Sequence, residues 1–208
     1  MAGAKKLVMG ASGFLGSHVT RQLVDRGDDV RVLIRRTSPT KGIEDLDVDY
    51  HYDDIFDDAA VRTAMAGCDD VFYCVVETRA WLRNPAPLFR TNIDGLRHVL
   101  DAAVNADLRR FVFTSTIGTI GIPAERRPAT EEDEFNWADK GGAYVVSPSR
   151  RRRAETARAT SSPSGSWVLA NWAGSLGRST TRSAGPRSSF GRIDADSDAG
   201  RKQVSHYA

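Results

Sequence analysis

Three glycines spaced three apart, Gly10, Gly13 and Gly16, carry the first chemistry visible in this chain. They follow a short apolar run, Lys6 to Met9. Leu15, Val19 and Leu23 then fall at helical spacing until Gly27 stops the helix, and a second apolar run covers Val30 to Ile34. Strand, glycine turn, helix and strand within about thirty residues is the setting in which a glycine triad holds a dinucleotide. Gly10 would allow the tight turn, Gly13 would let the backbone approach a pyrophosphate, and Gly16 would let the helix pack on the sheet. Ser12, Phe14 and Leu15 lie between them in the same binding loop, and the N–H groups of the helix start would face the phosphates. Arg35 and Arg36 stand where the second strand ends. An acid there would accept from the ribose 2′-OH of NAD, whereas guanidinium forks suit the 2′-phosphate of NADP. Read blandly, they are two solvated cations; read with the glycines, they favour NADP over NAD as cofactor.

The elements that must position these groups alternate along the chain. Val48 to Tyr52 reads as a third strand ending at Asp53-Asp54-Ile55, Asp58 to Met65 as a helix, and Asp70 to Val76 as a fourth strand. Thr91 to Val104 sets Ile93, Leu96, Leu100 and Ala103 on one helical face, and Arg110 to Thr114 reads as a fifth strand. Such alternation predicts an α/β fold, a Rossmann-type doubly wound parallel sheet with ligands at the carboxyl ends of its strands. Cys74 falls in a strand expected to be buried, so packing is its expected role. His98 has no His or Cys partner at metal spacing, and no metal site is expected.

The chain has 208 residues, 27% charged and 40% hydrophobic, with a net charge of +2. No apolar run approaches the roughly 18 residues of a membrane span, and the N-terminus lacks a signal-length apolar stretch. Two cysteines are too few for a disulfide framework, which points to reduced thiols in the cytoplasm. The averages hide a break. Residues 1–146 carry 18 Lys+Arg against 23 Asp+Glu, while residues 147–208 carry 11 against 4. Of those last 62 residues, 45 are Ser, Arg, Ala, Gly, Thr or Pro, and 8 are Val, Ile, Leu, Met, Phe or Trp. So few large apolar groups poorly offset the entropy of ordering, so a poorly structured basic tail is expected after a nucleotide-binding domain over 1–146.

From about residue 5 to 146 the order of motifs resembles the extended short-chain dehydrogenase/reductases. That group includes NAD-dependent epimerase/dehydratases, dihydroflavonol 4-reductases and 3β-hydroxysteroid dehydrogenases. The resemblance rests on the glycine triad, Asp54-Ile55, the run VFYCVV, Asn92-Ile93-Asp94-Gly95 and FVFTSTIGTIG. It implies that Asp54 and Ile55 lie along the adenine ring and Val75 and Val76 along the middle of the cofactor. The arginine at the strand end is most similar to the NADP-using dihydroflavonol reductase branch. The resemblance also implies a catalytic hydroxyl at Thr116, with Ser115 beside it, and a proton-passing, cofactor-contacting tyrosine at Tyr144 in GGAYVVS. The implied substrate is a small-molecule carbonyl or alcohol; the family often forms homodimers through long helices such as Thr91 to Val104.

The family's YxxxK pattern stops here, because the residue four after Tyr144 is Pro148. A lysine there would favour the phenolate of a tyrosine whose ordinary pKa is near 10. Proline carries no charge and breaks a helix interior at about 3 kcal/mol. No sixth or seventh strand or substrate lobe is evident, and the one apolar patch, Trp167 to Leu176, is expected to lack partners. Three accounts compete. A reading-frame shift near residue 147 of a GC-rich gene would produce this Arg/Ser/Ala mixture. A genuine basic tail could bind nucleic acid or acidic lipid, although interleaved aromatics and any known nucleic-acid module are missing. A non-catalytic NADP(H) sensor would need no lysine. The expectation for the chain as written is a truncated enzyme that binds cofactor weakly without turnover.

Overall fold

The computed structural model describes residues 5–79, 81–130, 133–139, 142–143 and 146–147, together with the backbone of three later strands. Five parallel strands form the main sheet: β1 (Lys6–Met9), β2 (Val30–Ile34), β3 (Asp49–Tyr52), β4 (Asp70–Tyr73) and β5 (Arg110–Thr116). Helices α1 (Phe14–Asp25), α2 (Asp58–Met65), the single turn α3 (Ala86–Phe89) and α4 (Leu96–Val104) cover it. The strands lie in the order β3-β2-β1-β4-β5, so the chain reverses direction across the sheet between β1 and β4. Ligands of doubly wound sheets collect at such a switch point, beyond the carboxyl ends of the strands.

Alternate side chains of one strand enter opposite cores. Leu7 and Met9 of β1 join Val61, Val99, Leu100 and Phe111 beneath α2 and α4. Val8 joins Leu23, Val30, Val32 and Ile43 on the α1 side. Burial on both faces is why these strands read as continuous apolar runs. At the N-terminal end of the sheet, away from the switch point, Asp70 is 3% exposed and accepts from Lys6 Nζ at 2.7 Å and Arg109 at 2.6 Å. Burial pushes the Asp70 carboxyl up, but the hydrogen bonds from Arg109 and Lys6 outweigh it and the group titrates below its usual range. Among the described residues no helix is long and apolar enough to cross a membrane.

Several sequence boundaries shift. β4 ends at Tyr73 rather than Val76, and β5 runs on to Thr116 rather than stopping at Thr114. Cys74 keeps one bond to the sheet, its N–H donating to the Met9 carbonyl at 2.9 Å, and the chain then crosses the sheet end. The helix expected over Thr91 to Val104 starts earlier, at Ala86, and passes through a wider π turn at Arg90–Gly95 before becoming α4. The expectation that Trp167 to Leu176 lacks partners is corrected. Strand β6 (Ser166–Trp172) pairs in parallel with β5, and β7 (Ser189–Ile193) and β8 (Ser205–Tyr207) follow antiparallel. The physical reason is the open row of N–H and C=O groups that the outer edge of β5 would otherwise present.

Candidate cofactor and active site

The glycine turn is built by steric necessity. Gly10 has φ of +81°, a left-handed backbone that L side chains rarely adopt, and a Cβ there would meet the backbone of Cys74 and Val75 at 3.1 Å. A Cβ on Gly16 would stand 2.1 Å from the Gly10 carbonyl oxygen, so only glycine lets α1 approach β1 this closely. Gly13 is the N-cap of α1 and supplies no side chain to bond the first turn. The N–H groups of Phe14, Leu15 and Gly16 have no residue earlier in the helix to accept from them, and the helix dipole makes their end attractive to an anion.

Two cavities meet over the switch point. The smaller, about 260 Å³, touches Gly10, Ser12 and Arg35 on one side and Asp54, Ile55 and Val75 on the other. The larger, about 490 Å³, runs from Phe14, Leu15 and Gly16 to Thr114, Ser115 and Thr116 at the end of β5. Gly13, Cys74, Val76 and Glu77 line both, which makes the two one continuous cleft. Asp54 accepts the Phe56 N–H at 3.1 Å, and Ile55 packs beneath it against Gly95, where a Cβ would lie 2.6 Å from Ile55 Cδ1. Gly95 of the Asn-Ile-Asp-Gly motif is thus glycine so that Ile55 can seat under the cleft.

The two arginines part company. Arg35 lines the smaller cavity and has no ion-pair partner among the described residues. Arg36 turns away, its guanidinium 5.8 Å over the Tyr52 ring in a neighbouring groove. Thr116 closes the larger cavity. Its hydroxyl accepts the Gly118 N–H at 3.2 Å, leaving its own proton to donate, and its carbonyl accepts from the Thr119 hydroxyl at 2.8 Å. Tyr144 and Pro148 lie outside the described residues.

Cys74, expected to be core packing, is half-buried in the cleft with Sγ 3.8 Å from Thr114 Oγ1. The early end of β4 puts it there. His98 sits against the Phe56 ring, centroids 6.5 Å apart, consistent with a structural place on the helix. Sequence reasoning missed two cleft residues. Glu77 is held by Arg79, whose guanidinium bonds pull the carboxyl down to about 2. Asn92 is 2% exposed and bonds the Glu77 backbone. The only signal for it was its place in the Asn92-Ile93-Asp94-Gly95 motif.

A cleft with a side-chain-free helix N-terminus, a glycine turn at a switch point and a hydroxyl row opposite is suited to a dinucleotide. The model of the NAD dependent epimerase/dehydratase family matches residues 6–147. The chain belongs to that family. Cinnamoyl-CoA reductase 1 of Oryza sativa subsp. japonica is 33% identical over 146 residues, covering 66% of this chain and 42% of the relative. Dihydroflavonol 4-reductase of Dianthus caryophyllus is 30% identical over 141 residues, covering 64% of this chain and 39% of the relative. A short-chain dehydrogenase/reductase superfamily protein from Agrobacterium tumefaciens, solved with bound NAD, shares the fold with a TM-score of 0.67 at 24% identity. That likeness covers 79% of this chain and 48% of the other. The chain spans about two fifths of the length of the curated relatives it matches.

Proposed function

We propose that this member of the epimerase/dehydratase family binds NADP(H) and descends from a reductase that interconverts small-molecule carbonyls and alcohols by hydride transfer. The observation that carries the reading is the placement of Arg35 in the smaller cavity, with no ion-pair partner among the described residues. Such a guanidinium matches a 2′-phosphate. The cofactor, when bound, supplies the hydride. Gly10, Gly13 and the start of α1 would hold its phosphates, Asp54 and Ile55 would flank the adenine, and Val75 and Val76 would line its middle. Thr116 would orient the substrate oxygen by donating its hydroxyl proton. Tyr144 would pass a proton to that oxygen.

Pro148 supports a second reading, cofactor binding without turnover. A tyrosine without a neighbouring ammonium keeps its proton near neutrality, and general acid catalysis of this kind contributes about 10²–10⁴-fold. The small number of cysteines, Cys68 and Cys74, fits a reducing, cytoplasmic setting. Two measurements separate the readings. NADPH and NADH are titrated against the purified chain, and NADPH oxidation is followed with a panel of ketones and aldehydes. Tighter NADPH than NADH binding supports the cofactor assignment, and equal or reversed affinities overturn it. Turnover abolished by Tyr144→Phe would establish an active reductase. Binding without turnover supports the sensor, and sequencing the gene across codons 140–155 tests whether a frame shift removed the lysine.

A further inference from the structure

We infer that Glu77 makes the cleft discriminate between the two redox states of its cofactor, holding the cationic nicotinamide of NADP⁺ more tightly than the neutral ring of NADPH. This inference rests on the NADP(H)-binding reading above.

Among the described residues Glu77 is the one charged side chain that lines the larger cavity. Phe14, Leu15, Val76 and Phe113 give that cavity apolar walls, and its other polar groups are neutral. Both Glu77 carboxylate oxygens accept from the Arg79 guanidinium, and Oε1 also accepts the Arg79 N–H at 3.0 Å. These bonds hold the carboxyl at about 2, so it is ionised at neutral pH. The ion pair does not cancel towards the cleft. The Glu77 side chain is 14% exposed and borders both cavities, whereas that of Arg79 is 53% exposed and borders neither. The carboxylate is therefore the member of the pair nearer the cleft, and solvent screens the guanidinium more strongly.

NADP⁺ and NADPH share the adenosine half, the 2′-phosphate and the pyrophosphate bridge. They differ at the nicotinamide, which is a cation when oxidised and neutral once it has taken a hydride. In the reading above, the glycine turn and the start of α1 hold the bridge, and Thr116 meets the substrate oxygen. The nicotinamide then occupies the larger cavity between them. A carboxylate bordering that space attracts the oxidised ring and does nothing comparable for the reduced one, and apolar walls strengthen the attraction by lowering the local dielectric. Glu77 also borders the smaller cavity, so its charge opposes the phosphates there. That cost falls equally on both forms and cancels in the ratio of their affinities. What remains is a bias of the cleft towards the oxidised cofactor, the property by which a chain without turnover would report the redox ratio.

The test titrates the full chain and its Glu77→Gln and Arg79→Gln variants by calorimetry with NADP⁺, NADPH and 2′,5′-ADP, which lacks the nicotinamide half. The unaltered chain should bind NADP⁺ about fivefold more tightly than NADPH, as expected for one partly offset charge near the ring. Glu77→Gln keeps the shape of the side chain and removes its charge, and should bring the two affinities level. Arg79→Gln removes the offsetting cation from an exposed position and should widen the preference by about twofold. A merely structural role would not move the preference in opposite directions. Changes in grip on the shared half appear with 2′,5′-ADP and leave the ratio untouched. Arg79→Gln decides the matter alone if Glu77→Gln does not fold. An unchanged ratio in the folded variants overturns the inference, and so does a shift in the same direction in both. NADPH bound more tightly than NADH, with NADP⁺ and NADPH bound alike, overturns this inference and leaves the NADP(H) reading standing. If the unaltered chain binds neither NADP⁺ nor NADPH, that reading falls and the inference falls with it.

Discussion

The lining that belongs to the smaller cavity alone comes mostly from the ends of consecutive strands, whereas the larger draws on bonds across long stretches of chain. Gly10, Leu33, Arg35, Asp53 and Ile55 all stand at or just past the ends of β1, β2 and β3. The larger cavity depends on pairs 15, 40 and 55 residues apart, namely Asn92–Glu77, Cys74–Thr114 and Asn92–Ser147. A site made from strand ends forms once the sheet forms. A site made from cross-chain bonds forms only if every contributor is present, and one contributor, Ser147, directly precedes Pro148 in the chain.

The largest expected effect sets a control for that contrast. Asp70→Ala strips the partner from Lys6, whose side chain is 7% exposed, at the end of the sheet opposite both cavities. Breaking a buried ion pair by removing one partner costs about 3–5 kcal/mol. Denaturant unfolding should show that loss while NADPH and 2′,5′-ADP affinities hold wherever the variant remains folded. Selective loss of one ligand would break the separation of stability from site.

Gly16→Ala should follow at about 2–3 kcal/mol, because a Cβ 2.1 Å from the Gly10 carbonyl forces α1 off the sheet. Both ligands should weaken together, since the helix N-terminus serves both cavities. Retained 2′,5′-ADP binding would show that the phosphates sit elsewhere.

Arg35→Ala should weaken NADPH by about tenfold or more, as expected for loss of a charge-assisted hydrogen bond, and leave NADH unchanged. Arg36→Ala, whose guanidinium lies over Tyr52, should change either ligand by less than about twofold. Equal effects from the two arginines would undo their structural distinction.

The smallest effect is electrostatic. Arg79 lowers the Glu77 carboxyl to about 2, so the pair favours the folded state above the unfolded carboxylate pKa of about 4.3. That stabilisation is lost as pH falls from there towards about 2. The difference in Tm between the chain and Glu77→Gln should be full at pH 6 and shrink below pH 4. A constant difference across that range would mean the bond matters through shape and not charge.

Legibility in the sequence follows the same division. The glycine triad, β1, β2, α1 and α2 were readable because local spacing dictates them: apolar runs buried on both faces, helical periodicity, and Gly27 with φ of +80° closing α1. The end of β4 was misjudged because VFYCVV stays apolar past Tyr73, although Cys74, Val75 and Val76 line the cleft. The π turn at Arg90–Gly95 was invisible, since the apolar positions of Thr91 to Val104 also suit a regular helix.

The sequence alone determined the alternating α/β order, the glycine turn and the absence of lysine at position 148, because each rests on residue type and short-range spacing. Tertiary structure decided which arginine faces the cleft, why Cys74 lines it and what holds Glu77. Those outcomes depend on where strands end and which distant atoms then come within hydrogen-bond reach, and spacing along a chain carries no measure of that distance.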